Sequence, residues 1–251
     1  MKKILEPRII FDGEQLLVIN KPAGWLTHPA ISVAPPLGQG DGLSITGWLI
    51  ALYPQLAAIG GEEKLQDDTM IPRAGILHRL DRETSGVLAA AKTGEAFDWF
   101  TKAFRERKVA KVYRAIVSGV LKLDDGVINL PIGRSRQDPR KRVAGNRASG
   151  VLREALTRYH VLERFIGFTY LELKPETGRT HQLRVHLKAL QTPIIGDQLY
   201  APKGPIVPTI NRTALHAFSL TLPFENSEKK SFEAPLPEDF NQTLDYLRRA
   251  C

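Results

Sequence analysis

The order of apolar and polar residues divides the chain into short strands and a few helices. Residues 9–20 read as two strands around a turn at Asp12-Gly13. Residues 43–53 place Ile45, Trp48, Leu49 and Leu52 at helical spacing, and Pro54 ends that helix. Between 75 and 88 the chain runs apolar, then charged, then small, then apolar again. That is the profile of a buried strand interrupted by a loop and resumed as another strand. Residues 87–91 form the resumed strand, and Thr93 caps a helix whose Ala96, Phe97, Phe100, Ala103 and Phe104 share one face. This aromatic stripe reads as core. Residues 111–118 alternate, with Tyr113, Ala115 and Val117 on one side. Two further strands at 156–162 and 169–174 meet around 164–167, and Leu183, Leu187 and Leu190 mark a helix after Gly178. A strand at 215–224 and a closing helix at 235–247, with Phe240, Leu244 and Leu247 buried, complete the pattern. The Gly- and Pro-rich stretch 30–42 is expected to be a surface loop, and 60–68 a polar, mobile segment without chemistry.

Charge changes the picture. With 35 Lys and Arg against 27 Asp and Glu among 251 residues, the net charge of +8 suggests an acidic partner, most simply nucleic acid. Residues 134–147 carry six of the cations (Arg134, Arg136, Arg140, Lys141, Arg142 and Arg147) against one acid, with no apolar periodicity. A solvated surface would explain such a run, but its arginines, glycine and proline suit phosphate contacts on a folded RNA. The helix after Thr93 ends in Lys102, Arg105, Arg107 and Lys108, which complement its dipole and can also face phosphates. The single cysteine, Cys251, excludes an intrachain disulfide and a cysteine-based zinc site. Neither a signal peptide nor a run near the ~18 apolar residues of a membrane helix is present, so a cytoplasmic protein without membrane contact is expected.

Candidate chemistry centres on His78-Arg79-Leu80-Asp81-Arg82-Glu83-Thr84-Ser85-Gly86, a polar run between apolar flanks. Polar groups carried inward must be paired or used, because each one left unpaired costs ~1–3 kcal/mol. Residue types alone leave open a charged turn in which Asp81 caps the next segment. His181 and His186 invite a metal reading, which with His78 and Asp81 would make a metal-dependent nuclease or phosphohydrolase. They lie five apart, however, off a common helix face, and no nearby carboxylate completes a ligand set.

The polar run resembles the signature of the RluA-type RNA pseudouridine synthases, in which the aspartate is the nucleophile. Three more stretches are similar to the same family in the same order: Lys21-Pro-Ala-Gly with His28-Pro29, Lys111-x-Tyr113-x-Ala115, and Gly178-Arg179-Thr-His-Gln-Leu-Arg followed by Pro193-Ile-Ile-Gly-Asp-Gln-Leu-Tyr200. The resemblance covers the chain from about Leu16 to the final helix. It implies an α+β fold, a mixed, largely antiparallel sheet in two halves with a central catalytic cleft and flanking helices. It further implies conversion of uridine to pseudouridine in tRNA or rRNA without cofactor or metal. Asp81 is then the nucleophile, Arg79 enters the gap left by the flipped base, Tyr113 stacks on that base, and Arg179 pairs with the aspartate. An aspartate is charged at neutral pH without a separate base, and a guanidinium beside it keeps it so in a dry pocket. Lys108, Lys111, Arg134, Arg136, Arg140, Lys141 and Arg142 are expected to meet RNA. One catalytic domain over 1–251, acting as a monomer, is expected; the first core strand near Leu16 leaves no room for the S4 RNA-binding module of some relatives. A non-catalytic RNA-binding or ribosome-assembly protein of the same fold is the other reading, and it predicts loss of residues that are present here.

Overall fold

Arg8–Asp12 (β1) pairs antiparallel with Leu16–Lys21 (β2), and the Gly13 amide donates to the Leu16 carbonyl at 2.9 Å across the expected turn. The computed structural model describes residues 5–29, 43–64, 68–145, 148–224 and 228–250. It resolves into two compact units, Met1–Val109 with Ser219–Ala234, and Ala110–Phe218 with Pro235–Cys251. The expected loop at 30–42 lies outside the described residues, as do Asn146 and Arg147.

In the first unit, Ile45–Leu52 (α1) is capped by Ser44, whose hydroxyl accepts from the Gly47 amide at 3.2 Å. Ile45 and Leu49 are buried but Leu52 faces solvent, so the buried face is narrower than the spacing suggests. After Pro54 the chain continues as a short 3-10 helix, Pro54–Ala58. Within the polar stretch that follows, Glu62–Lys64 (β3) pairs with Met70–Pro72 (β4), and residues 65–67 lie outside the described residues. Ser85–Ala91 (β5) pairs with β2, and all seven of its residues are buried. The flank before the polar run is not a strand but a single bridge, Ile76 to Ala90. Gly75 explains this. Its φ of +68° turns the chain, and a Cβ there would collide with the Ala91 carbonyl oxygen. Gly94–Arg105 (α2) starts at Thr93, which caps the Ala96 amide at 3.2 Å, and Ala96, Phe97, Phe100 and Ala103 share a core with Leu16, Val18, Val87 and Ala89.

The second unit opens with Ala110–Ser118 (β6). Then come Asp125–Asn129 (β7), Ile132–Arg134 (β8), Arg142–Ala144 (β9) and Ser149–Arg153 (β10), followed by Leu156–Phe165 (β11) and Phe168–Pro175 (β12). Strands β6, β12, β11 and β7 pair antiparallel in that order. The cationic run is a hairpin rather than an irregular segment, because β8 pairs with β9 on one side and β10 on the other. Hydropathy could not show this, since the turn is held locally: the Ser135 hydroxyl accepts from the Gln137 and Asp138 amides, and Asp138 accepts from Lys141. Gln182–Ala189 (α3) buries Leu183 and Leu187 against Ala115, Val117, Leu171 and Leu173. Leu215–Pro223 (β13) belongs to this unit through Phe218 and to the first thereafter, where it pairs with Lys229–Glu233 (β14). The final helix, Glu238–Arg249 (α4), begins only after Pro237 and buries Phe240, Leu244 and Leu247 as expected.

The fold is thus α+β with largely antiparallel strand pairing in both units, and a parallel bridge joins Leu26 to Ser44. Among the described residues no helix is long and apolar enough to cross a membrane.

Candidate active site

Asp81 sits in the loop between the Ile76 bridge and β5, and the segment after β2 holds that loop from both sides. The Thr27 hydroxyl donates to the Leu80 carbonyl at 2.8 Å and accepts from the Leu80 amide at 3.1 Å. On the far side of Asp81, the fully buried Lys21 ammonium donates to the Arg82 carbonyl at 3.1 Å, and the Gly24 amide donates to the same oxygen at 2.8 Å. A return bond runs from Arg82 Nε to the Gly24 carbonyl at 3.2 Å. Both neighbours of Asp81 are therefore pinned through their backbone, and its side chain is half-buried. The loop closes on itself where the Thr84 amide donates to the Asp81 carbonyl, and His78 Nε2 takes the Ala89 amide proton, continuing the ladder of β5. Two motifs whose contacts span 53 to 61 residues of sequence form one structure. Thr27→Val is expected to lower the unfolding free energy by about 1–3 kcal/mol, because it leaves the buried Leu80 amide and carbonyl unpaired. Urea unfolding and faster amide exchange at Leu80 would read it.

Arg79 is exposed on the same loop, and its guanidinium reaches Glu63 of β3 at 4.0 Å. Glu63 also lies 3.5 Å from Nε2 of His28, whose Nδ1 meets the Thr46 hydroxyl at 2.8 Å. The stretch around β3, read from sequence as carrying no chemistry, therefore supplies a carboxylate beside a candidate site residue. Burial pulls His28 from an ordinary 6.5 down to about 4; Glu63 works against this and Arg79 and Arg73 with it. The unfolded chain then takes up a proton before the folded one as pH falls. Stability contributed by neutral His28 is complete above about pH 6.5 and is lost progressively toward pH 4, by about 3 kcal/mol. His28→Asn should flatten the pH dependence of the urea midpoint across that window. Some acid sensitivity will persist through His186, which burial shifts in the same direction.

The second unit brings together a different group. Tyr113 and Lys111 project from the same side of β6, two residues apart. The Lys111 ammonium lies 3.8 Å from where a Cβ of Gly178 would stand, so the loop carrying Arg179 passes over it. Arg179 occupies the junction between β12 and α3, as its sequence position suggests. The Gln182 side-chain oxygen accepts from its amide at 3.0 Å, and its Nε donates to the Glu154 carbonyl at 3.0 Å. Gln182 is buried and also bonds Thr177, Leu156 and Thr157, which fixes the loop ahead of the helix.

His181 takes a left-handed conformation, φ +59°, and its Nδ1 meets the Tyr200 hydroxyl at 2.8 Å. Tyr200 accepts in turn from the Arg142 amide at 2.9 Å, tying β9 to the start of α3. Beneath it the wholly buried Asp197 takes a two-pronged bond from Arg184, at 2.7 and 2.8 Å. His186 is a core histidine: Nδ1 meets the Thr157 hydroxyl and Nε2 the Leu130 carbonyl.

The cations expected to meet RNA differ in their surroundings. Arg134 and Arg136 are exposed on the β8–β9 hairpin. Arg140 is fastened to Asp138, with Lys141 3.9 Å from the same carboxylate, and Arg142 turns back onto the Pro139 and Lys141 carbonyls. Lys108 pairs with Glu106 at 2.7 Å. Sequence reading passed over Lys21, Thr27, Glu63 and Asp197. Nothing in hydropathy marks a lysine as fully buried, although Lys21 and Asp197 both stand inside quoted motifs.

The family model described as RNA pseudouridylate synthase matches residues 15–189, and the chain belongs to that family. Among individual relatives, ribosomal large subunit pseudouridine synthase D of Neisseria meningitidis serogroup A is 38% identical over 250 residues, 96% of this chain and 61% of that protein. An uncharacterised RNA pseudouridine synthase of Bacillus subtilis is 38% identical over 242 residues, covering 96% of this chain and 73% of that one. The solved structure of human RNA pseudouridylate synthase domain containing 1 superposes with a TM-score of 0.71 at 27% identity, over 98% of this chain and 94% of that one. The chain thus spans about three-fifths of the length of the Neisseria relative.

Proposed function

We propose that this chain isomerises uridine to pseudouridine in structured RNA, with Asp81 as nucleophile and the target base flipped out of its stack. The observation that carries the reading is the family match over 15–189, a span that contains Asp81, Tyr113 and Arg179. In the reaction the N1–C1′ bond breaks, the uracil turns, and C5 bonds to C1′. The C5 hydrogen leaves to solvent and N1 takes a proton, so atoms and charge balance. Arg179 pairs with the Asp81 carboxylate, and Tyr113 stacks on the base, which offsets part of the few kcal/mol that flipping costs. Arg79 occupies the vacated place in the RNA, leaving Glu63 for it. One catalytic domain, working as a monomer in the cytoplasm, is enough for this chemistry. Exposed Arg134 and Arg136, with Arg140, Lys141, Arg142 and Lys108, supply the phosphate contacts along the RNA.

Large-subunit ribosomal RNA is the favoured substrate, because the Neisseria relative is named for it and is 38% identical; transfer RNA is the other class. Unmodified transcripts of both, incubated with the protein and mapped for pseudouridine, should show a new pseudouridine in the ribosomal RNA. Modification of transfer RNA alone would overturn the substrate assignment, and modification of neither would overturn the activity.

A further inference from the structure

Lys111 is a half-buried cation of the second unit. Its ammonium has no hydrogen-bond acceptor or counter-ion among the described residues. Burial alone acts on its proton affinity, in the lowering direction, with no carboxylate pulling it back. The comparable cations nearby are provided for: Arg114 bonds Glu172 at 2.6 Å, Lys174 bonds Glu172 at 2.7 Å, and Arg184 bonds Asp197. A charged group drawn out of water is costly unless it is paired. The position of this one is specific: it shares a strand face with Tyr113 and lies under the Gly178–Arg179 loop.

We infer that Lys111 is a substrate-binding residue whose ammonium takes a backbone phosphate of the nucleotide to be isomerised. The inference rests on the RNA-directed reading above and sharpens it, since phosphates are the only charged groups RNA offers. Lysine suits the task as a compact point charge that needs no planar fork. The phosphate anchors the ribose while the base lies against Tyr113, so Lys111 fixes the sugar end of the flipped nucleotide.

The test is the affinity of the full chain for an RNA substrate across a salt series, for wild type, Lys111→Gln and Lys111→Arg. One lost phosphate contact should weaken binding and make the slope of log affinity against log salt shallower by about 0.7–0.9 in Lys111→Gln. Lys111→Arg should recover most of the slope. The thermal midpoint of Lys111→Gln without RNA should equal or exceed that of wild type, because the substitution removes an unpaired charge. Weakened binding at an unchanged slope would mean a contact to a neutral group such as a uracil carbonyl, and would overturn the inference. So would a lowered midpoint with wild-type affinity, which would make Lys111 structural. Pseudouridine formation by the wild type, followed in the same samples, separates the two questions. RNA that is bound but never isomerised refutes the proposed activity, while the slope still decides Lys111.

Discussion

Asp81→Asn is expected to form no measurable pseudouridine, a fall in turnover on the order of 10⁴-fold or more, while folding as the wild type does. The amide is neutral and a poor nucleophile, and no neighbouring group can replace the covalent role assigned to the carboxylate. Folding is spared because the loop is clamped through the backbone of Leu80 and Arg82, by Thr27, Lys21 and Gly24, and none of those bonds uses the Asp81 side chain. The urea midpoint should correspond to a change within about 0.5 kcal/mol. RNA affinity should stay within a few-fold, since the phosphate contacts lie elsewhere. Nucleoside analysis of digested RNA reads the first effect, and urea unfolding and filter binding the others. Turnover within tenfold of wild type would remove Asp81 from the chemistry.

The largest loss of stability is expected at Asp197→Ala. Asp197 is wholly buried, and its two oxygens bind Arg184 Nε and Nη2, with Oδ1 also accepting from the Leu199 and Tyr200 amides. Removing the carboxylate strands a guanidinium and two amides in the interior, a change that typically costs ~3–5 kcal/mol. Arg184 also lies over the Tyr200 ring at 5.0 Å, so the Tyr200 hydroxyl should lose its hold on His181 and on the Arg142 amide. Asp197→Ala should therefore loosen the β8–β9 hairpin as well as lower the urea midpoint. Arg184→Met with Asp197→Leu, which removes the pair together, should recover part of the loss. A single-variant loss below about 1 kcal/mol would contradict this account.

How much of this was legible in the sequence depended on whether the signal was periodic. The α2 helix, the β11–β12 hairpin and the buried face of α4 follow from apolar spacing, because each lays one apolar face on a core. Strands β7 to β10 left no such trace: β10, with Val151 82% exposed, does not alternate, and β8 and β9 are three residues each. The hairpin they build is fixed by side chain-to-backbone bonds from Ser135 and Asp138, which no hydropathy pattern encodes. At the candidate site, residue types left Asp81 between a capping turn and a nucleophile, and four ordered motifs, rather than periodicity, favoured the second. Why the Lys-Pro-Ala-Gly segment accompanies the Asp81 motif was not legible. It became so once Thr27 and Lys21 were seen to hold the peptides on either side of Asp81. Glu63 was missed for the same reason, since its meaning lies in what β3 stands beside.

The most direct test of the account is tritium release from RNA labelled at uracil C5, incubated with the wild-type protein while pseudouridine is counted in the same RNA. Isomerisation must free the C5 hydrogen, whereas binding or strand cleavage leaves it in place. The account predicts one tritium released for each pseudouridine formed, and none with Asp81→Asn. RNA bound by the wild type with its tritium retained would contradict it and leave an RNA-binding protein of the same fold.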